Sequence, residues 1–112
     1  MAWTDWRKIA EGAFWFDDAF DHDGAACYEL ALAGPRGGSL MPMYVGETCN
    51  ETRRIRDYAC NGSHLTVEII SHLRRGWSLW YRAWAHDTKQ SAKGMQDRLL
   101  LEYRYPWNVI GQ

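Results

Sequence analysis

Apolar and polar positions alternate most clearly after Gly24, where Ala26-Cys27-Tyr28-Glu29-Leu30-Ala31-Leu32-Ala33 places Tyr28, Leu30 and Leu32 on one side of an extended chain. The run Gly34-Pro35-Arg36-Gly37-Gly38 interrupts it. A second strand, Pro42-Met43-Tyr44-Val45-Gly46, follows at hairpin distance, so the two are expected to pair antiparallel across a somewhat long loop, with Pro42 at a strand start. The period then changes. Thr48 or Asn50 caps a helix carrying Arg53, Arg54, Ile55, Arg56, Tyr58 and Ala59, which Asn61-Gly62 ends; Arg54 and Tyr58, four apart, share a face. Ser63 caps a second helix from His64 to about Arg75, with Leu65, Ile69, His72 and Leu73 as its stripe and Gly76 as its stop. Trp77 to Trp84 reads as a third strand, Leu79, Tyr81 and Ala83 on one face, Trp80, Arg82 and Trp84 on the other. A last helix runs from about Thr88 to Tyr103, striped by Ala92, Gln96, Leu99, Leu100 and Tyr103, and Pro106 blocks its continuation. Before all of these, Trp6, Ile9 and Ala10 fit one face of a two-turn helix that Thr4 caps. It lies within an aromatic packing arm, residues 1–24, that includes Phe14, Trp15, Phe16 and Phe20 among Asp17, Asp18, Asp21 and Asp23.

Three strands too closely spaced for parallel crossovers, with helices outside them, predict an α+β fold: a small three-stranded antiparallel sheet flanked by helices, in a single domain over residues 1–112. Composition supports a compact core, since 46% of residues are hydrophobic and 14% aromatic. No apolar run approaches the ~20 residues that cross a bilayer, and the N-terminus has no apolar signal region; an intracellular protein in a reducing compartment, cytoplasm or nucleus, with no membrane partner, is the expectation. Cys27, Cys49 and Cys60 lack a C-x-x-C spacing and read as free thiols, and the scattered His22, His64, His72 and His86 form no metal-binding pair. The net charge of -1 is low for a nonspecific nucleic-acid binder, so any such role must rest on a local basic patch.

One set of residues is odd in a purely structural reading. A tyrosine on each of two adjacent strands, Arg53-Arg54 at the next helix start, and Gln96 on an otherwise apolar helical stripe place hydrogen-bonding groups where a core prefers none. The same residues carry a resemblance. Ala26-Cys27-Tyr28, then Tyr44-Val45-Gly46, Arg54 with Tyr58 after it, Gly62-Ser63-His64, and the ending Leu99-Leu100-Leu101-Glu102-Tyr103-Arg104-Tyr105-Pro106-Trp107-Asn108 together resemble the GIY-YIG nuclease domain across residues 26–108. Ala-Cys-Tyr departs from Gly-Ile-Tyr in its first two positions, so the match rests on the ordered set. The Gly-Ser-His and Tyr-Pro-Trp-Asn features look most like a plant and fungal subgroup.

The resemblance implies divalent-metal-dependent hydrolysis of a DNA phosphodiester, with one Mg²⁺ or Mn²⁺ per site and duplex or branched DNA as partner. It implies catalytic positions at Tyr28, which activates water or relays its proton, at Tyr44, which orients the site, at Arg54, which stabilises charge on the scissile phosphate, and at Gln96. Arg53, Tyr58, His64 and Asn108 fall on the substrate side, Asn108 bracing the site by hydrogen bonding. These types suit the chemistry, because the transition state gathers negative charge that a guanidinium fork and a metal ion stabilise, whereas a tyrosine becomes a base only beside a cation.

The family's metal is held by a glutamate on the last helix, and its position here is Gln96. A neutral carboxamide is a poor ligand for a hard cation, so the chain is expected to be an inactive or impaired form of an endonuclease. An isosteric exchange engineered to trap a substrate and a natural loss of the acid both account for it. Asp97 and Glu102 are turned roughly 100–120° away around the helix and do not substitute. The alternative function is a nuclease-derived module that binds DNA or protein without cutting. A third reading, an interaction domain unrelated to nucleases, requires Tyr28, Tyr44 and Arg54 to lie far apart.

Glu47, just after the second motif, reads first as an exposed strand end and second as a phosphate-repelling or supplementary metal-binding acid. The tryptophan-rich third strand reads first as core and second as a base-stacking platform for single strands. Arg53, Arg54, Arg56, Arg74 and Arg75 make the local basic patch. Three phosphate contacts give a log-affinity slope against log salt of about -2.7. That is a weak footprint, which a protein partner or self-association would have to supplement.

Overall fold

A computed structural model describes residues 2–15, 23–59 and 63–109. Phe16, Asp17, Asp18, Phe20, Asp21, His22, Cys60 and the expected helix stop Asn61-Gly62 lie outside the described residues. The order is β1 (Arg7–Glu11), β2 (Phe14–Trp15), β3 (Ala26–Gly34), β4 (Gly37–Thr48), α1 (Glu51–Ala59), α2 (Thr66–Arg74), β5 (Ser78–Ala85), α3 (Lys89–Glu102) and a 3-10 turn (Pro106–Val109). The strands form one antiparallel five-stranded sheet in the order β2-β1-β5-β3-β4.

The sheet therefore has five strands where three were expected, and the extra two occupy the place of the two-turn N-terminal helix. The register explains the misreading. β1 pairs with β5 at Lys8–Trp80 and Ala10–Leu79, with an irregularity between them, so Ile9 and Ala10 are both fully buried in one cluster. A bulge that turns two successive residues inward breaks the period of two and imitates helical spacing. Thr4 caps no helix; its hydroxyl accepts from Ala83 N at 3.0 Å, and its own N–H donates to Ala83 O at 2.9 Å.

The β3–β4 connection is also tighter than expected. Gly34 and Gly37 are paired, leaving only Pro35 and Arg36 between them, and Gly37 and Gly38 take φ of 80° and 103°, a region open to glycine. Farther along, Leu30 opposes Tyr44 and Ala31 opposes Pro42, so Met43 is the extra residue of a second bulge. Asn50 starts α1 by accepting from Arg53 N at 3.0 Å, and Thr88 starts α3 by accepting from Ser91 N at 3.1 Å. Ser63 Oγ accepts from Leu65 N at 3.1 Å ahead of α2, whose first residue is Thr66 rather than His64.

The two sheet faces are covered differently. On the first, Tyr28, Leu30, Leu32, Leu79 and Tyr81 pack with Ile55 and Tyr58 of α1, Leu65, Ile69 and Leu73 of α2, and Trp107. On the second, α3 sets Ala92, Met95 and Leu99 over Cys27 and Val45. The α3 stripe is narrower than its sequence suggests: Leu100 and Tyr103 are exposed, and Met95 stands beside the half-buried Gln96. Among the described residues no helix is long and apolar enough to cross a membrane.

Candidate active site

Alternation along β3 points Tyr28 into the first face, and the α1 spacing brings Tyr58 and Arg54 down onto it. The Tyr28 and Tyr58 hydroxyls are 2.7 Å apart, and Arg54 Nε donates to Tyr28 Oη at 3.4 Å. Arg54 also lies 4.9 Å over the Tyr58 ring and pairs with Asp57 at 3.5 Å. Tyr44 stands 6.2 Å from Tyr28, 6.4 Å from Tyr58 and 5.5 Å from His64, centroid to centroid. Tyr28, Tyr44, Arg54, Tyr58 and His64 thus meet at one end of the sheet. The requirement of the unrelated-domain reading, that the first three lie far apart, is not met.

Gly46 is what lets them close. Its φ is ordinary, but a Cβ there would stand 2.5 Å from Tyr28 Oη, 2.6 Å from Tyr28 Cζ and 2.9 Å from Tyr44 Cε2. The last position of the second motif is a glycine because two tyrosine rings occupy the space of its side chain.

Electrostatics set the protonation states. Burial, followed by the Tyr44 hydroxyl, pushes the Tyr28 phenol well above its ordinary value, and burial does the same to Tyr58. Partial burial opposes the Arg54 charge, but the Tyr58 and Tyr28 hydroxyls outweigh it and hold the guanidinium firmly protonated. Burial, then Arg54, lowers His64 below its ordinary value, so this exposed imidazole is neutral near pH 7. Because Tyr28 and Tyr58 resist ionisation when folded, the unfolded chain releases their protons first as pH rises past the ordinary tyrosine value of about 10. Stability is fully present below that pH and falls above it. We expect alkaline unfolding that coincides with a cooperative rise in phenolate absorbance; a gradual rise in a chain that stays folded would contradict the burial of this cluster.

Asn108 braces from the edge. Its amide accepts from Val45 N at 2.9 Å and donates to Val45 O at 2.8 Å, fixing β4 between Tyr44 and Gly46. Both bonds turn the Asn108 amide to β4 and brace that strand. Arg53 and Arg56 are exposed on α1, with Thr48, Cys49 and Asn50 beside Arg53 and Arg54 around a small hollow of about 180 Å³.

Gln96 is not in this contact set, since α3 packs on the opposite face. Asp97 is exposed and pairs with Lys93 at 3.0 Å, and Glu102 is exposed, so neither acid replaces it. Glu47 is not the exposed strand end expected of it: its side chain is 16% exposed and bonded to Lys89 at 3.3 Å, because alternation turns it toward α3. The donor set does not fit a divalent ion, for position 96 offers an amide, and no group of three or more His, Cys, Asp or Glu side chains able to hold a metal exists among the described residues.

A family model described as GIY-YIG domain-containing protein matches residues 3–112. The chain belongs to the GIY-YIG domain family. No curated protein and no solved structure matches it. The GIY-YIG match begins before the first motif, in keeping with β1 and β2 being strands of the same sheet. It identifies a nuclease family that acts on DNA, and the α+β architecture fits that fold.

A second polar grouping, on the other face, has only a faint signal in the sequence. Glu29, 3% exposed, bonds Arg82 Nε and Nη2 at 2.6 Å and accepts from the Tyr105 hydroxyl on the second face. Its sequence signal was a carboxylate in the middle of an otherwise apolar strand. Nearby, burial and then Glu29 push the Cys27 thiol up to about 12, which makes it inert, while Cys49 is an exposed free thiol.

Proposed function

We propose that the chain is a divalent-metal-dependent DNA endonuclease domain present in a catalytically impaired form, with Gln96 at the metal-ligand position. The observation that carries this reading is the Tyr28–Tyr58–Arg54 cluster closed over Gly46. Tyr28, Tyr44 and Arg54 form the catalytic set, with Arg53, Tyr58 and His64 on the substrate side and Asn108 as the brace. The Gly-Ser-His and Tyr-Pro-Trp-Asn features support a place near the plant and fungal subgroup.

In hydrolysis a water oxygen forms a bond to phosphorus, the bond to the leaving sugar oxygen breaks, and the water proton must be taken up. Arg54 is aimed by its Tyr28 and Tyr58 contacts and offers its fork to the phosphate. Tyr28 is neutral in this environment and donates or relays a hydrogen bond. It would become a base only with a further positive charge nearby; a divalent ion would supply one, but the described residues, with an amide at position 96, do not fit such an ion. That same deficit favours the second reading, a nuclease-derived module that binds DNA or protein without cutting.

The deciding experiment incubates plasmid, duplex, flap and four-way-junction DNA with Mg²⁺ or Mn²⁺ and either this chain or Gln96→Glu. The proposal expects cutting by the variant and little by the parent. Silence in both, with the fold intact, supports the binding module instead.

A further inference from the structure

Near the end of α3 the second sheet face carries aromatic residues that the helix covers only in part. Trp80, Arg82 and Trp84 of β5 alternate outward and remain half-buried, as do Trp3 and Trp6. Trp3 stands edge-on to Trp84 at 5.7 Å, and the Arg82 guanidinium lies 4.2 Å over Trp3 and 4.8 Å over Trp6. Between this group and the α3 terminus lies a depression of about 410 Å³, with Tyr103 and Arg104 on its rim.

The charge balance of the depression selects its occupant. Among its lining residues the one carboxylate is Glu29, and both of its oxygens are engaged, by Arg82 and Tyr105. Arg82 is thereby neutralised as a pair, and Arg104 adds a net positive charge. Aromatic faces with an uncompensated cation suit a polyanion whose flat rings are free to stack. A duplex hides those rings inside its own stack, whereas an unpaired strand presents them.

We infer that this face binds single-stranded DNA, with bases stacked on Trp3 and Tyr103 and phosphates against Arg104. Only the choice of DNA over RNA rests on the function proposed above. The site is separate from the tyrosine cluster, which lies on the other face, and gives the domain a way to hold the unpaired part of a branched or flapped molecule.

The test titrates the chain with a short oligothymidylate, a hairpin duplex of equal charge and an oligouridylate, following tryptophan fluorescence. The expected result is quenching by oligothymidylate, weaker effects of the duplex, and affinity lowered about tenfold or more in Tyr103→Ala/Arg104→Glu. Both residues are exposed, so this variant keeps its fold. No binding, or equal binding by the rim variant, overturns the inference, and preference for oligouridylate overturns the choice of DNA. No cleavage is read, so the outcome is independent of whether the chain is a nuclease.

Discussion

Replacing Arg82 with leucine is expected to destabilise the domain by about 3–5 kcal/mol, the usual cost of stripping one partner from a buried ion pair. Glu29 is 3% exposed and would keep only the Tyr105 hydroxyl, while Trp3 and Trp6 would lose the guanidinium that lies over both rings. Adding Glu29→Gln removes the stranded charge, so the double variant should lose less than the sum of the two single changes. Denaturant unfolding of the four proteins measures this. Additive losses would show that Glu29 and Arg82 do not depend on each other.

The second large effect is expected at Gly46. Alanine there forces the Tyr28 ring away from its place, since the new Cβ would sit 2.5 Å from the hydroxyl oxygen and 2.6 Å from Cζ. Overpacking of this kind costs about 1–3 kcal/mol. Its functional cost is larger, because moving Tyr28 breaks the 2.7 Å contact to Tyr58 and takes away the group that Arg54 bonds. Thermal unfolding and DNA cleavage in a Gln96→Glu background should both register the change. An alanine variant with the stability and cleavage of its parent would contradict the closure described for the site.

The sequence reveals the site more readily than the sheet around it. Tyr28, Arg54 and Tyr58 were legible because regular periods place them: alternation along β3 and an i, i+4 step along α1 survive folding unchanged, whereas the bulge at Met43, beside Tyr44, follows from no period in the chain. The N-terminal strands were not legible, because the bulge near Ile9 gives a strand the spacing of a helix, and β1 becomes evident only when β5 is there to pair with it. Glu47 was misread for a related reason. A charged residue near a strand end looks exposed until α3 brings Lys89 to it. Glu29 is joined to Arg82 and Tyr105, each more than fifty positions away from it, and no local pattern in the chain connects them.

The most direct measurement of whether the tyrosine–arginine cluster is a phosphodiester-cleaving centre is single-turnover cleavage by Gln96→Glu, with and without Tyr28→Phe. Phenylalanine keeps the ring in its buried place and removes only the hydroxyl that faces Tyr58 and Arg54. The account predicts that the Gln96→Glu chain cuts DNA and that adding Tyr28→Phe slows it by about 10²-fold or more, the range of a positioned proton-transfer group. Undiminished cleavage by the double variant would contradict it.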